Sequence, residues 1–367
     1  MSLSLPQFDR LCTQLLSPLG AFQVIRRTRT GDSGSDFQLI GPAGSSFRLE
    51  VREYKRITPA TAESACIALK RNSQTIDSQP VLFAPLVSDR TAEIAQRHNV
   101  SWMDYVGNCR LVFPSKGIYV WRSGIDNPFG KQIPKVLNVF SVKSSRVVRA
   151  LLEQPLLGWQ LNQLAGCSDV LVSPGLMSRI KCSLVEDGYA TIQDGRLYLK
   201  RPDELLDDWV KHYRSHRPQE YSFYLRGDIE HVERQVASWC SKFGIDYALS
   251  RFSAAWRLAP EVRYNVVSMM VSKNAILDDT LNDLIANFGV RPVDSGANLI
   301  LQVSADESYL SNRRGEDIPT TSPLQTYLDL RAMDGRGEEA ARAIYEKYLK
   351  QPFKEAAEQA VRHHEGN

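Results

Sequence analysis

Two sets of residues in this sequence have types and spacings that can do chemistry. The first is Asp36 ahead of a run that carries Glu50 and, two positions on, Arg52. Two carboxylates brought together can hold a divalent metal, and a cation beside them can stabilise or help activate an attacking water. Arginine departs from the lysine best suited to that role: its guanidinium cannot lose a proton and places its charge differently. Lys55 is close in sequence, but its odd offset puts it on the opposite face from Glu50 if the strand continues. The second set is Ser173, Gly175, Ser178, Arg179 and Lys181. Small residues permit close approach to DNA, hydroxyls bond phosphates or base edges, and arginine can grip guanine through two hydrogen bonds. Arg196 and Lys200 add positive charge just downstream, and Lys143 and Arg146 just upstream.

The elements that must position the second set lie between Ser141 and Arg201. A first helix starting near Ser144 aligns Val147, Val148, Leu151 and Leu152 on one face. A second spans Trp159 to Ala165. The third opens with Ser173 as N-cap and Pro174 at the first helical position, buries Met177, Ile180 and Leu184, and closes at Gly188. Two β-type runs around Asp194-Gly195, a pair suited to a type I′ turn, complete the unit. Three helices and a hairpin are the order of a winged helix-turn-helix, whose third helix enters the major groove. The alternatives are a winged helix used only for protein contacts and a plain helical bundle.

On either side the pattern is α/β. Residues 1–130 alternate strands and helices, with a helix around Phe8 to Leu16, strands at Asp36 to Ile40 and Phe47 to Val51, and a helix at Thr61 to Arg71. The apolar run Pro80 to Pro85 reads as a buried parallel strand. Ser88 caps a further helix, and Asp104 with Gly107-Asn108 reads as turn chemistry before a last strand near Arg110 to Phe113. Asp126-Asn127-Pro128-Phe129-Gly130, with Lys131 and Pro134, reads as a linker. The predicted domains are therefore an α/β domain at 1–130, the winged helix at 135–217, a second α/β domain at 218–350 and a polar tail at 351–367. Within the second α/β domain, Tyr247 to Leu258 is expected to be helical, and Arg313, Arg314, Arg331 and Arg336 are read as scattered solvated charge, with a nucleic-acid or acidic-protein surface as the alternative.

Composition bounds these readings. A chain of 367 residues, 43% hydrophobic and 24% charged, suits several ordinary globular domains. A net charge of +3 requires any nucleic-acid footprint to be a local patch. Six scattered cysteines without a CxxC pair argue against a structural metal and suit a reducing compartment; with no apolar run of membrane length either, a cytoplasmic protein without a cofactor is expected.

Two resemblances add to this. Asp36, Glu50 and Arg52 resemble the metal-and-lysine site of the PD-(D/E)xK nuclease fold, degenerate at its third position. The Pro80 to Pro85 strand, the segment Val100 to Leu111, the winged helix and Ser322-Pro323-Leu324-Gln325-Thr326-Tyr327-Leu328-Asp329-Leu330 before Gly335-Arg336-Gly337 occur in an order of their own. That order resembles the antitoxin component of abortive-infection type IV toxin–antitoxin systems, in its transcriptional-regulator-like branch. The resemblance implies a non-enzymatic DNA-binding repressor of its own operon that counteracts a nucleotidyltransferase toxin, with double-stranded DNA as partner and no membrane. Pairing of two protomers on an inverted repeat is also expected, since it doubles the contacts. A metal-dependent nuclease and a protein-interaction module without DNA binding remain as alternatives.

Overall fold

The computed structural model describes residues 6–17, 20, 23–27, 34–41, 46–72, 78–114, 117–123, 137–213, 218–303, 306–333 and 335–365. It is a mixed α/β protein, as the sequence predicts, and it divides into two compact units: residues 1–136 with 186–188, and residues 137–185 with 189–367. The expected linker at 126–134 lies outside the described residues.

The first unit runs α1 (Pro6–Leu16), β1 (Gln23–Arg27), β2 (Gly34–Ile40), β3 (Ser46–Glu53), α2 (Pro59–Asn72), β4 (Ser78–Ala84), α3 (Asp89–Arg97), β5 (Ser101–Asp104), β6 (Cys109–Phe113) and β7 (Ile118–Arg122). Its seven strands lie in sequence order in one sheet. The β3–β4 and β4–β5 pairs are parallel, and those outside them are antiparallel. The apolar run Pro80 to Ala84 of β4 follows from burial on both faces. Val81 and Phe83 join α1 in one core, whereas Leu82 and Ala84 join α2 and α3 in another. Ser88 caps α3 by accepting the Thr91 N–H at 3.3 Å. β7 is not among the strands expected from sequence, although Ile118-Tyr119-Val120-Trp121 is a β-branched and aromatic run, and its Tyr119 and Trp121 remain exposed.

The second unit begins with α4 (Val142–Glu153), β8 (Trp159–Gln160), α5 (Leu161–Gly166), α6 (Pro174–Glu186), β9 (Ala190–Gln193), β10 (Arg196–Leu199) and α7 (Pro202–Tyr213). The predicted second helix is corrected at its start. Trp159 and Gln160 form a strand on β10, with Leu197 opposite Trp159, and the helix opens only at Leu161. The approach to β8 needs a glycine, because a Cβ on Gly158 would lie 2.4 Å from the Tyr198 ring. The predicted hairpin is present: β9 pairs with β10, and both turn residues have positive φ, +48° at Asp194 and +72° at Gly195.

The chain continues through β11 (Gln219–Tyr224), α8 (Ile229–Lys242), β12 (Tyr247–Leu249), α9 (Arg251–Leu258), β13 (Val267–Val271), α10 (Asp278–Phe288), β14 (Arg291–Pro292), β15 (Leu299–Val303), α11 (Pro323–Arg331), α12 (Gly337–Ile344) and α13 (Lys350–Glu365). The strands form a mixed sheet in the order β12-β13-β15-β11-β14. Residues 247–258, expected to be helical throughout, divide into β12 and α9. Ala248 and Leu249 are buried against β13, and the backbone reverses at Arg251 with φ +50°.

The expected polar tail is also corrected, because residues 350–365 are helical. Phe353, Ala356 and Ala360, spaced three and four apart, are buried along one side. Pro352 falls in the first turn of α13, directly after a π-turn at Tyr345–Leu349, where the hydrogen-bond ladder already changes register. One core runs without a break through α4–α7, α9, α11, α12 and α13.

Candidate nucleic-acid interface

Helix α6 presents the most coherent set of polar groups in the second unit. Its start is built as predicted: the Ser173 hydroxyl accepts the Leu176 N–H at 3.3 Å, and Pro174 needs no partner for its nitrogen. Met177, Ile180, Ser183 and Leu184 are buried. Gly175, Ser178, Arg179 and Cys182 are exposed, and their i, i+3, i+4, i+7 spacing makes them one continuous strip. Lys181 is half-buried at its flank. Cys182 is absent from the sequence reading, although the same periodicity that selects Ser178 and Arg179 selects it too. Leu171, 67% exposed with φ +41°, stands in the turn before α6.

The remaining basic residues divide. Lys143 and Lys200 are exposed. Arg196 is half-buried and donates from Nη1 to the Gly158 carbonyl at 3.0 Å, which ties β10 to the approach to β8. Arg146 is held by its Nε, 2.9 Å from Oδ2 of the buried Asp306. Both side chains therefore brace the fold. The hairpin is supported from behind, where Gln193 Nε2 donates to the Ala360 carbonyl of α13 at 3.1 Å.

Beneath this surface a buried polar cluster fastens α4 and α7 to α11. The Tyr213 hydroxyl donates to Asp329 Oδ1 at 2.7 Å, and Gln325 Nε2 donates to the Tyr213 oxygen at 2.6 Å and to Asp329 at 2.8 Å. Burial pushes the Asp329 carboxyl up to about 6, against the opposing pull of the Tyr213 bond and of Arg251, Gln325 and Arg149. The Arg149 guanidinium lies 5.2 Å from the Trp209 ring centre and 5.0 Å from that of Tyr309. Ser322 donates to Glu153, whose carboxyl is raised by desolvation.

In the first unit, β2 and β3 pair so that Asp36 lies opposite Glu50 and Gly34 opposite Arg52. Because Phe37, Leu39, Leu49 and Val51 share one face, Glu50 and Arg52 belong to the other. Lys55 lies beyond the end of β3 and is exposed. No cluster of three His, Cys, Asp or Glu suited to a metal occurs among the described residues. Asp104 is structural. Fully buried, it accepts the N–H groups of Val106, Gly107 and Asn108 on Oδ1 at 2.9–3.0 Å and the Asn108 amide on Oδ2 at 3.0 Å.

Comparison with known families bears on the second unit. Residues 196–350 match the family described as transcriptional regulator, AbiEi antitoxin, type IV toxin–antitoxin system. Over that stretch the chain is a match to the AbiEi antitoxin regulators. The AbiEi match covers less than half of the chain, running from β10 to the end of the π-turn, and takes in the Asp329 cluster on α11. Helix α6 precedes it. No curated protein matches the chain. Among the described residues no helix is long and apolar enough to cross a membrane.

Proposed function

We propose that this protein is a sequence-specific DNA-binding regulator of the AbiEi type, acting in the cytoplasm. On this reading residues 137–200 are a winged helix, and α6 enters the major groove with Ser178 and Arg179 against base edges. Ser173, Gly175 and Lys181 approach the backbone. The exposed tip Asp194-Gly195, with Lys200, lies along phosphates, and Lys143 adds charge at the start of α4. Arg196 and Arg146 position the hairpin and α4 rather than bind phosphate. The observation that carries the reading is the unbroken exposed strip Gly175, Ser178, Arg179 and Cys182 on a helix whose opposite side is core. Two protomers pair on an inverted repeat, repress their own operon and neutralise a nucleotidyltransferase toxin.

The test is binding of the full chain to its own upstream DNA and to random DNA across a salt series. Preference for the upstream DNA, with affinity falling as salt rises, is expected. Arg179→Ala should lose about 1–3 kcal/mol of that preference, the discrimination of one bidentate arginine–guanine contact. Parental behaviour of Arg179→Ala would remove the docking mode, and equal weak binding to both DNAs would favour a protein-interaction module.

The β2–β3 register supports a second reading for the first unit, since it sets Asp36 opposite Glu50 in the backbone pairing, two residues from Arg52. As a PD-(D/E)xK-type nuclease it would cut DNA with Mg²⁺ or Mn²⁺ and lose that activity in Glu50→Ala. Absence of cutting with either metal sinks it.

A further inference from the structure

Strands β6 and β7 carry a row of side chains that neither core of the first unit takes up. Cys109, Leu111, Phe113, Ile118 and Val120 face the core shared with α1. Their neighbours in the pleat, Arg110, Val112, Tyr119 and Trp121, belong to the other face. Cross-strand pairing sets Arg110 beside Trp121 and Val112 beside Tyr119, and joins the row to Trp102 of β5. Helices α2 and α3 cover that face as far as Trp102, and among the described residues none of β6 or β7 enters their core. Beyond Trp102 the rings stand open, Tyr119 55% exposed and Trp121 54%.

Large aromatic side chains left exposed together mark a contact surface. The two rings lie 6.4 Å apart and are tilted by 38°, so neither closes the face of the other. The Arg110 guanidinium stands 5.7 Å from the Tyr119 ring centre. Aromatic rings with arginine also serve protein contacts, but the surrounding charge favours an anionic partner. From Arg110 to Lys135 the sequence sets five basic residues against Asp126 alone. Residues 1–136 hold 17 lysines and arginines against 11 aspartates and glutamates. With Glu186 and Asp187 the unit stands at +4, while the rest of the chain is at −1. We propose that this face of β6 and β7 binds single-stranded DNA. Successive bases stack on Tyr119 and Trp121, and phosphates meet Arg110 and Arg122, which is exposed at the strand end. Every base has a π-face, so the site tolerates any sequence. A duplex keeps its bases stacked on one another, and freeing one is costly, so the site selects single strands. The inference is independent of α6 and of duplex binding.

Fluorescence anisotropy of a labelled oligo(dT) strand of about twelve nucleotides with the full chain tests this, with oligo(U) and a duplex of equal length as further arms. Oligo(dT) should bind, and more weakly as salt rises. Trp121→Ala and Tyr119→Ala should each weaken that binding about fivefold or more, the lower end of what one base–aromatic stack contributes. Trp121→Phe keeps a ring and should retain most of it. All three variants should unfold in urea like the parent and bind the duplex equally well, and Arg179→Ala should bind oligo(dT) normally. Parental oligo(dT) binding in both alanine variants would overturn the platform, and tighter binding of oligo(U) than of oligo(dT) would overturn the choice of DNA. A shift from dimer to monomer in Trp121→Ala, with oligo(dT) binding unchanged, would instead assign the rings to a second copy of the chain.

Discussion

At the scale of single residues, the clearest consequence concerns Asp329. Its carboxyl titrates at about 6 in the folded chain, whereas an unfolded aspartate titrates near 3.9. Between those values the folded state holds a proton that the unfolded state has released. This contribution to stability is therefore greatest below about pH 4 and is lost as pH rises through about 6. The full loss is on the order of 3 kcal/mol. Asp329→Asn cannot titrate there and keeps an oxygen for Tyr213 and Gln325. Urea unfolding at pH 4 and pH 7 should show the variant gaining on the parent as pH rises. A constant difference between the two proteins would show that this carboxyl does not titrate in that window. The side-chain partners of Asp329 come from α7 and α11, far apart in sequence, so no local pattern announces the cluster. Asp104 was legible for the opposite reason, because its partners, Val106, Gly107 and Asn108, lie within the next four residues.

At the scale of elements, what was legible depended on how local the signal is. The start of α6 is written in Ser173 and Pro174, the wing turn in Asp194-Gly195, and the β4 strand in an apolar run between breakers. Strand β8 was missed because two residues carry no periodicity and Trp159 fits a helix as well as a strand. Its pairing with Leu197 is a tertiary fact. Helix α13 was misread as tail because Pro352 and the charged residues around it mask a narrow apolar line, Phe353, Ala356 and Ala360. Phe353 is fully buried in the same core as α4 and α7. Phe353→Ala should therefore destabilise the second unit by about 3–5 kcal/mol, the usual range for emptying an aromatic core position. A frayed tail would tolerate the change within about 0.5 kcal/mol, as surface sites do, so chemical unfolding of the variant separates the two descriptions.

At the scale of the whole molecule, the sequence suggested a winged helix that ends near residue 217 and an α/β domain that begins there. The core ignores that line. Val147, Leu151, Met177, Ile180, Leu197 and Trp209 share one cluster with Leu258, Leu324, Leu328, Ile344 and Phe353. Polar contacts cross the same seam, Arg146 to Asp306 and Tyr213 to Asp329. A segment of residues 137–213 alone would expose the apolar faces that these partners cover, and small isolated domains have little stability in reserve. Residues 137–367 retain the whole cluster. Expressed separately, 137–367 should unfold cooperatively with urea, whereas 137–213 should bind a hydrophobic dye and lack a sharp transition. The Arg179 strip would then need the α/β layer behind it to hold its shape, and DNA binding should survive in the longer fragment alone. A stable, cooperatively folding 137–213 with undiminished DNA binding would restore the independent winged helix.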